Sequence, residues 1–379
     1  MNKRLTALAL LAASVALPGM ASAGSDPRLA NLPELGKFKP MFLVGPKHSE
    51  PLSNRLPTAQ LPQWNGSYTD LTGKNVTFTQ IGGNPSNTNA TSTINVLLIP
   101  VKFVITQNGT KYTFDPMKVK LANNFNRNVI TAMKDSPLFN SKVDFNPQYG
   151  SCNGSCVDLG KTQYEDAFQR GTWWGNDVQA NTDYHVLFTT TVEKEQTITA
   201  SCTSGCVVKE GNLVLGEYNF GQMDREIQTM LSSIKDVNPG VLPLFISYDV
   251  YLTSGGCCIG GYHDADGRQP TGQTYSYATY VDSAGEFSQD VSAFSHELGE
   301  WMDDPFVDNF VNCNDNGIME VGDPLEGQQN YGGFPYKDKK FTYNLQSLVY
   351  MGYFGAPTTD SANQWLALQD DETHVCPGQ

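Results

Sequence analysis

Residues 288–304 carry five apolar side chains, Val291, Phe294, Leu298, Trp301 and Met302, that a helix gathers into an arc of about 100°, near the width of a core-facing stripe. Ser288 or Asp290 can cap its start and Pro305 ends it. One side of this segment must therefore meet a core. The other side is His296, Glu297, Glu300, Asp303 and Asp304. His296 and Glu300 stand four apart and project from one face, so two ligands on one turn can grip a cation. Glu297, one step along, can point at a metal-bound water and take its proton. Glu320 follows Glu300 by twenty residues. A third ligand from a later segment, with one position left open, is the arrangement of a catalytic zinc. The alternative is a solvated acidic face. Against it stand Asp303 and Asp304, because a helix C-terminus disfavours each anion by a few tenths of a kcal/mol and a nearby cation would offset that.

The run His296-Glu297-Leu298-Gly299-Glu300, with Glu320 twenty residues on, resembles the gluzincin branch of the zincin metallopeptidases. The resemblance covers residues 275–325. It implies a zincin-like domain, with His296, Glu300 and Glu320 as metal ligands, Glu297 as the catalytic base and Asp323 as an acid behind the ligands. Asp323 stands one position short of the family's usual place. Glu300 stands where the family has a second histidine, and a carboxylate-rich site is harder and less selective for zinc. A weaker resemblance links the chain to secreted proteins of the phosphate-induced (exordium-like) type. It rests on Gly255–His263, Tyr275–Tyr280, the Asp304-Pro305 step and Glu320–Asp323, and it implies export without a reaction.

Export is also read directly from the residues. Lys3 and Arg4 precede an apolar run, Leu5–Leu17, which Pro18 and Gly19 break, and Ala21-Ser22-Ala23 offers a small-residue cleavage site before Gly24. The apolar run is too short to span a bilayer, and no later stretch comes close, so a secreted or periplasmic mature chain without a membrane span is expected. The alternative is an uncleaved anchor. The formal charge of −14 becomes more negative once Lys3 and Arg4 are removed, which disfavours nucleic acid and anionic membranes as partners. Charged residues make up only 17% and aromatics 11%, a loop-rich rather than a disordered composition.

Eight cysteines in an exported chain read as disulfides. Cys152–Cys156 and Cys202–Cys206 each have room to close a small loop. Cys257 and Cys258 are adjacent and are not expected to bond each other, which sends them to Cys313 and Cys376 in an order the sequence leaves open. The rival reading makes the two C-x3-C pairs a structural zinc site.

Along the chain, residues 24–89 read as an irregular segment with a few strands, a wrap or a pro-region. Ile94–Ile105 reads as a strand near an edge or bulged, because Pro100 lacks an N–H. Helical spacing covers Asp115–Asp135, Thr162–Trp174 and Met223–Ile234. Strands are expected at Tyr184–Thr191, Val241–Leu252 and Tyr275–Val281, and a hairpin around Cys202 and Cys206 in Thr197–Leu215. Tyr275–Val281 suits a sheet edge that takes extended substrate by strand addition. Among other candidates, His263 follows glycines that let backbone approach a site, as a further ligand or a donor to the transition state. Tyr343 could donate to an oxyanion. Asp264-Ala265-Asp266-Gly267 and Asn312–Gly317 have calcium-like oxygen spacing, although Asx-turns explain both. His48, His185 and His374 read as structural or surface residues.

The expectation is thus an α+β, loop-rich, disulfide-bonded protein: a signal peptide at 1–23, the segment 24–89, and a zincin-like domain at 90–379 with the motif at 296–323. The expected activity is zinc-dependent hydrolysis of peptide or protein substrates, with another divalent metal as the alternative. The competing class is a non-enzymatic surface or matrix-binding protein whose metal site is structural or degenerate.

Overall fold

A computed structural model describes residues 27–35, 45–46, 48, 59–69, 73–87, 90–121, 124–145, 159–178, 183–283, 288–311, 318–322, 334–338, 341–346, 348–349, 364–366 and 372–374. The signal peptide, Asp323, the Asn312–Gly317 run, Cys152, Cys156, Cys313 and Cys376 lie outside these residues.

In chain order the elements begin with β1 (Gln63–Thr69), β2 (Asn75–Ile81), β3 (Thr91–Gln107), β4 (Thr110–Phe114) and α1 (Val129–Asp135). Short β5 (Val143–Asp144) and β6 (Lys161–Thr162) pair, and α2 (Tyr164–Thr172) follows. Next come β7 (His185–Val192), β8 (Gln196–Cys202), β9 (Val207–Glu210), β10 (Leu213–Asn219) and α3 (Phe220–Ser233). The strands β11 (Val241–Tyr248), β12 (Val250–Thr253), β13 (Cys257–Ile259), β14 (Gly261–Asp266) and β15 (Gln273–Tyr280) lead into α4 (Ser292–Asp303). Two hairpin-like pairs close the chain, β16 (Phe334–Asp338) with β17 (Phe341–Leu345) and β18 (Gln364–Leu366) with β19 (Glu372–His374). The chain is a sheet-rich, mixed α+β protein.

The main sheet has seven strands built around β3. One side of β3 pairs with β11 and then β4, the other with β7 and then β8. Pro100 sits where these partners change: β11 ends opposite it, β7 ends at Leu98, and β8 begins at Val101. The missing N–H falls at a seam in the ladder, so this proline lies in the central strand rather than near an edge.

Alternation along the strands sends Ile94, Val96, Leu98, Leu244 and Ile246 to one face, with Phe294, Leu298, Trp301 and Met302 of α4 and Phe168 of α2. Leu97, Ile99, Phe103 and Phe245 go to the other, with Met223, Ile227, Met230 and Leu231 of α3. The sheet is a middle layer between helices. A second, four-stranded sheet runs β13-β12-β10-β9.

Several expectations are corrected. Val241–Leu252 is two strands, because Asp249 takes φ 51° and sends the chain from the seven-stranded sheet to the four-stranded one. In Asp115–Asp135 only Val129–Asp135 is helical. Asp115 caps a turn through Met117 N and Lys118 N, and Phe125 and Asn126 have positive φ. The hairpin lies between β9 and β10, after the cysteine loop, while β8 pairs with β3. β15 is internal, flanked by β14 and β11, and the edge is β14. Cys202 bonds Cys206 across a Cα separation of 6.3 Å, as expected. Cys257 bonds its neighbour Cys258, against expectation, and the peptide between them is cis.

Candidate metal centre

All twelve residues of α4 are buried, polar ones included. Its apolar stripe meets the sheet, and its polar side is covered by α2, β2, β14 and β17. The solvated-face reading therefore fails: an acidic helix face enclosed in protein needs partners for each charge. The helix starts later than expected, after Val291. Asp290 accepts from Val291 N at 2.5 Å and from Asn344 N at 2.9 Å, tying the helix start to β17.

One oxygen of each of Asp303 and Asp304 is held by donors other than a cation, while Oδ2 of each is buried and accepts no hydrogen bond. Asp303 Oδ1 accepts from Gln80 Nε2 at 2.9 Å and Gln169 Nε2 at 2.6 Å. Asp304 Oδ1 accepts from the backbone N–H groups of Asp308 at 2.8 Å and Asn309 at 2.9 Å. Burial raises both carboxyls to about 7.

The remaining polar residues of α4 converge. His296 Nε2 lies 3.1 Å from Glu300 Oε2, the i,i+4 pair the sequence predicts. Two sets of possible metal donors form, each with atoms within 4.8 Å of one another: His296, Glu297 and Glu300, and His263, Glu300 and Glu320. Glu300 belongs to both. The five residues are buried, between 3% and 9% exposed. His263, a secondary candidate in the sequence, is thus the residue that stands with Glu300 and Glu320. The expected trio of His296, Glu300 and Glu320 is divided between the two sets.

His263 arrives from β14. Its Nε2 lies 3.1 Å from Asp304 O. A carbonyl can only accept, so Nε2 carries the hydrogen and Nδ1 is the atom left to face the carboxylates. Nδ1 lies 3.6 Å from Glu297 Oε2 and 3.9 Å from Glu300 Oε2, ion-pair rather than hydrogen-bond distances. A nitrogen facing two carboxylates needs a positive charge, either a proton or a metal. Burial alone pushes this imidazole down, but Glu297, Glu320 and Asp304 outweigh it and hold it at about 9. Donation of the second ring N–H to a backbone carbonyl is also how ligating histidines are oriented. The donor set, two imidazoles and three carboxylates, fits a divalent metal.

Two glycines make the convergence possible. A Cβ on Gly261 would lie 2.7 Å from both Glu297 Cγ and Tyr277 O. A Cβ on Gly322 would overlap the His296 ring, and Gly322 N donates to Glu300 Oε1 at 3.3 Å. Sequence reading missed Gly322 and also Glu165 of α2. Glu165 is fully buried and lies 3.2 Å from where a Cβ on Gly299 would stand. Its carboxyl is pushed well up, by burial first and then by Asp303, with His296 opposing. No local motif marks it.

Other candidates fall elsewhere. Tyr343 is buried in β17, and its hydroxyl donates to Ala132 O at 3.1 Å, tying it to α1. His185 Nδ1 meets Asp166 Oδ2 at 2.8 Å, a structural role as expected. His48 does have a cluster, with Asp224 and Asp264, against expectation. Among the described residues no helix is long and apolar enough to cross a membrane. Compared with family models, curated proteins and solved structures, the chain matches none.

Proposed function

We propose that this chain is an exported, zincin-like (gluzincin-type) metallopeptidase that cleaves peptide bonds. The observation that carries the reading is the enclosed convergence of His296, Glu297, Glu300, His263 and Glu320 around the one carboxylate of Glu300. Glu300 would anchor a divalent metal, zinc in the first instance, with His296 from one set and Glu320 and His263 from the other as the further ligands. When bound, such a metal polarises a carbonyl and lowers the pKa of water.

The chain's own groups do the rest. The other four donors suffice to hold the metal, which leaves Glu297 to take the proton of the attacking water and pass it to the leaving amine. His263, held by Asp304 O, keeps a fixed donor edge and places positive charge beside Glu297 when protonated. Gly261 lets β14 run against the Glu297 side chain and so limits where that carboxylate can swing. Asp323 would orient a ligand from behind. Elemental analysis of the purified chain after mild dialysis tests the premise. About one transition-metal ion per chain at this centre is expected, and failure of zinc, manganese, iron, cobalt and nickel either to copurify or to rebind would refute it.

The burial of the donors favours a second reading. A centre whose five donors are all under a tenth exposed can be closed and structural, as in a secreted surface or matrix-binding protein. In that case Glu297 contributes nothing to a reaction, and its substitution separates the two readings.

A further inference from the structure

β14 alternates, so His263 points toward α4 while Tyr262, Asp264 and Asp266 point to the opposite face, toward α3. There His48, Asp224 and Asp264 bring ligand atoms within 4.8 Å of one another. His48 Nε2 lies 2.9 Å from Asp224 Oδ2. The other oxygen, Asp224 Oδ1, accepts from Tyr275 Oη at 2.8 Å and Tyr262 Oη at 3.2 Å, which fixes the carboxylate and leaves Oδ2 facing the cluster. Asp264 Oδ1 is turned away to Ala265 N at 2.7 Å, while its Oδ2 has only a long contact, 3.5 Å, to Tyr275 Oη.

Asp266 is the independent sign of a ligand. It is 1% exposed, and neither carboxylate oxygen accepts a hydrogen bond. Gln228 favours the charged form of Asp266, and Gln228 Nε2, which donates one hydrogen to Tyr275 Oη at 3.1 Å, keeps a second for this side. Asp266 shares the strand face of Asp264 and bridges to His48 through the backbone, with Gly267 N donating to His48 O at 2.9 Å. Its charge environment is His48, Asp264 and Asp224, the cluster itself. Among the described residues no lysine or arginine forms an ion pair with these three carboxylates. Three enclosed carboxylates against one imidazole leave a deficit of positive charge.

We propose that His48, Asp224, Asp264 and Asp266 form a second divalent-cation site, separate from the α4 centre and on the opposite face of β14. One imidazole with three carboxylates suits a cation of intermediate hardness, and manganese(II) is the type. His48 is the partly exposed member, so entry is from its side. Gly45 completes the geometry: a Cβ there would overlap the Asp264 carboxylate as it stands. Bound metal therefore ties His48 to the edge strand of the main sheet.

The test uses the full chain, stripped with a chelator and titrated with manganese(II) alone, with free ion read by electron paramagnetic resonance. Glu300→Gln removes the donor common to both sets at α4, so manganese bound by that variant reports the second site. We expect it to keep one bound manganese. Adding His48→Ala, a change on the partly exposed side that spares the core, should weaken that binding at least about tenfold, the lower end of the loss for even an outer-shell partner. Melting temperature gives a second readout with a reversal of sign. Without metal, Asp266→Asn should melt at or above wild type, since it removes an enclosed charge. With manganese, wild type should gain and Asp266→Asn should not. Loss of all manganese in Glu300→Gln would overturn the site, as would affinity unchanged by His48→Ala.

Discussion

His263 and Asp264 are neighbours on β14, yet they serve clusters built by different routes. On the His263 side, three donors come from one and a half turns of a single helix, and β14 and the 318–322 stretch add one each. On the Asp264 side, His48 and Asp224 are 176 residues apart, and the strand brings the rest. The first cluster is held by elements that are buried throughout, the second by one partly exposed histidine on a stretch the sheet edge receives. A centre on rigid, enclosed elements keeps its geometry with or without metal, whereas a centre closed by a peripheral stretch depends on the ion to keep its members together.

The comparison breaks most visibly at Glu300. Glu300→Ala removes the one donor common to both sets at α4, so bound metal there should fall to background and any hydrolysis with it. The associated loss of stability is about 4 kcal/mol when metal stands about a thousandfold over its Kd, measured by denaturation with and without chelator. The metal of the Asp264 side should survive.

The glycines sharpen the contrast. Gly261→Ala drives a methyl between Glu297 and Tyr277 O, neither of which can retreat inside the layered core. An overpacking cost of about 1–3 kcal/mol is expected, together with lower metal affinity at α4. Gly45→Ala meets the side chain of Asp264, whose carboxylate can turn aside. It should cost less stability and should weaken manganese binding on the second face alone. Denaturation midpoints and metal titrations of the two variants decide whether the clusters are independent.

How much of this is legible in the sequence follows the same division. The i,i+4 spacing of His296 and Glu300 and the apolar stripe of α4 are local patterns, and both appear in the structure. The burial of the polar side is not local, because periodicity reports which residues are polar but not that α2, β2 and β17 cover them. Tyr275–Val281 reads as an edge because its residues alternate and precede the site helix. Inside the sheet Tyr277 pairs with Ser247 Oγ at 2.7 Å and Tyr275 with Asp224. His48 looks like a surface residue because its partners arrive only through tertiary structure. The donors that Gln80, Gln169 and the turn after the helix supply to one oxygen each of Asp303 and Asp304 are likewise tertiary and leave no local pattern.

The last expected effect is a pH dependence and concerns that pair. Asp303 is enclosed but belongs to neither cluster. Its folded-state carboxyl, raised by burial to about 7 from the ordinary 3.8, keeps its proton over a range where the unfolded chain has lost it. The fold then binds more protons than the unfolded state, so this group's contribution to stability falls as pH rises from about 4 to about 7, by at most about 1.4 kcal/mol per pH unit. Asp303→Asn keeps the acceptor for Gln80 and Gln169 and should flatten that slope while leaving the metal content of both clusters unchanged. Urea midpoints across this pH range, with and without metal, provide the check.

The central claim, that the α4 cluster is a catalytic centre with Glu297 as its base, is tested most directly by comparing wild type with Glu297→Gln at matched metal content on an unbiased peptide library. The amide cannot accept the water's proton, so the account predicts full metal, an unchanged fold and cleavage reduced by at least roughly 10²-fold, the lower range for a lost general base. Equal cleavage by the two proteins would contradict it.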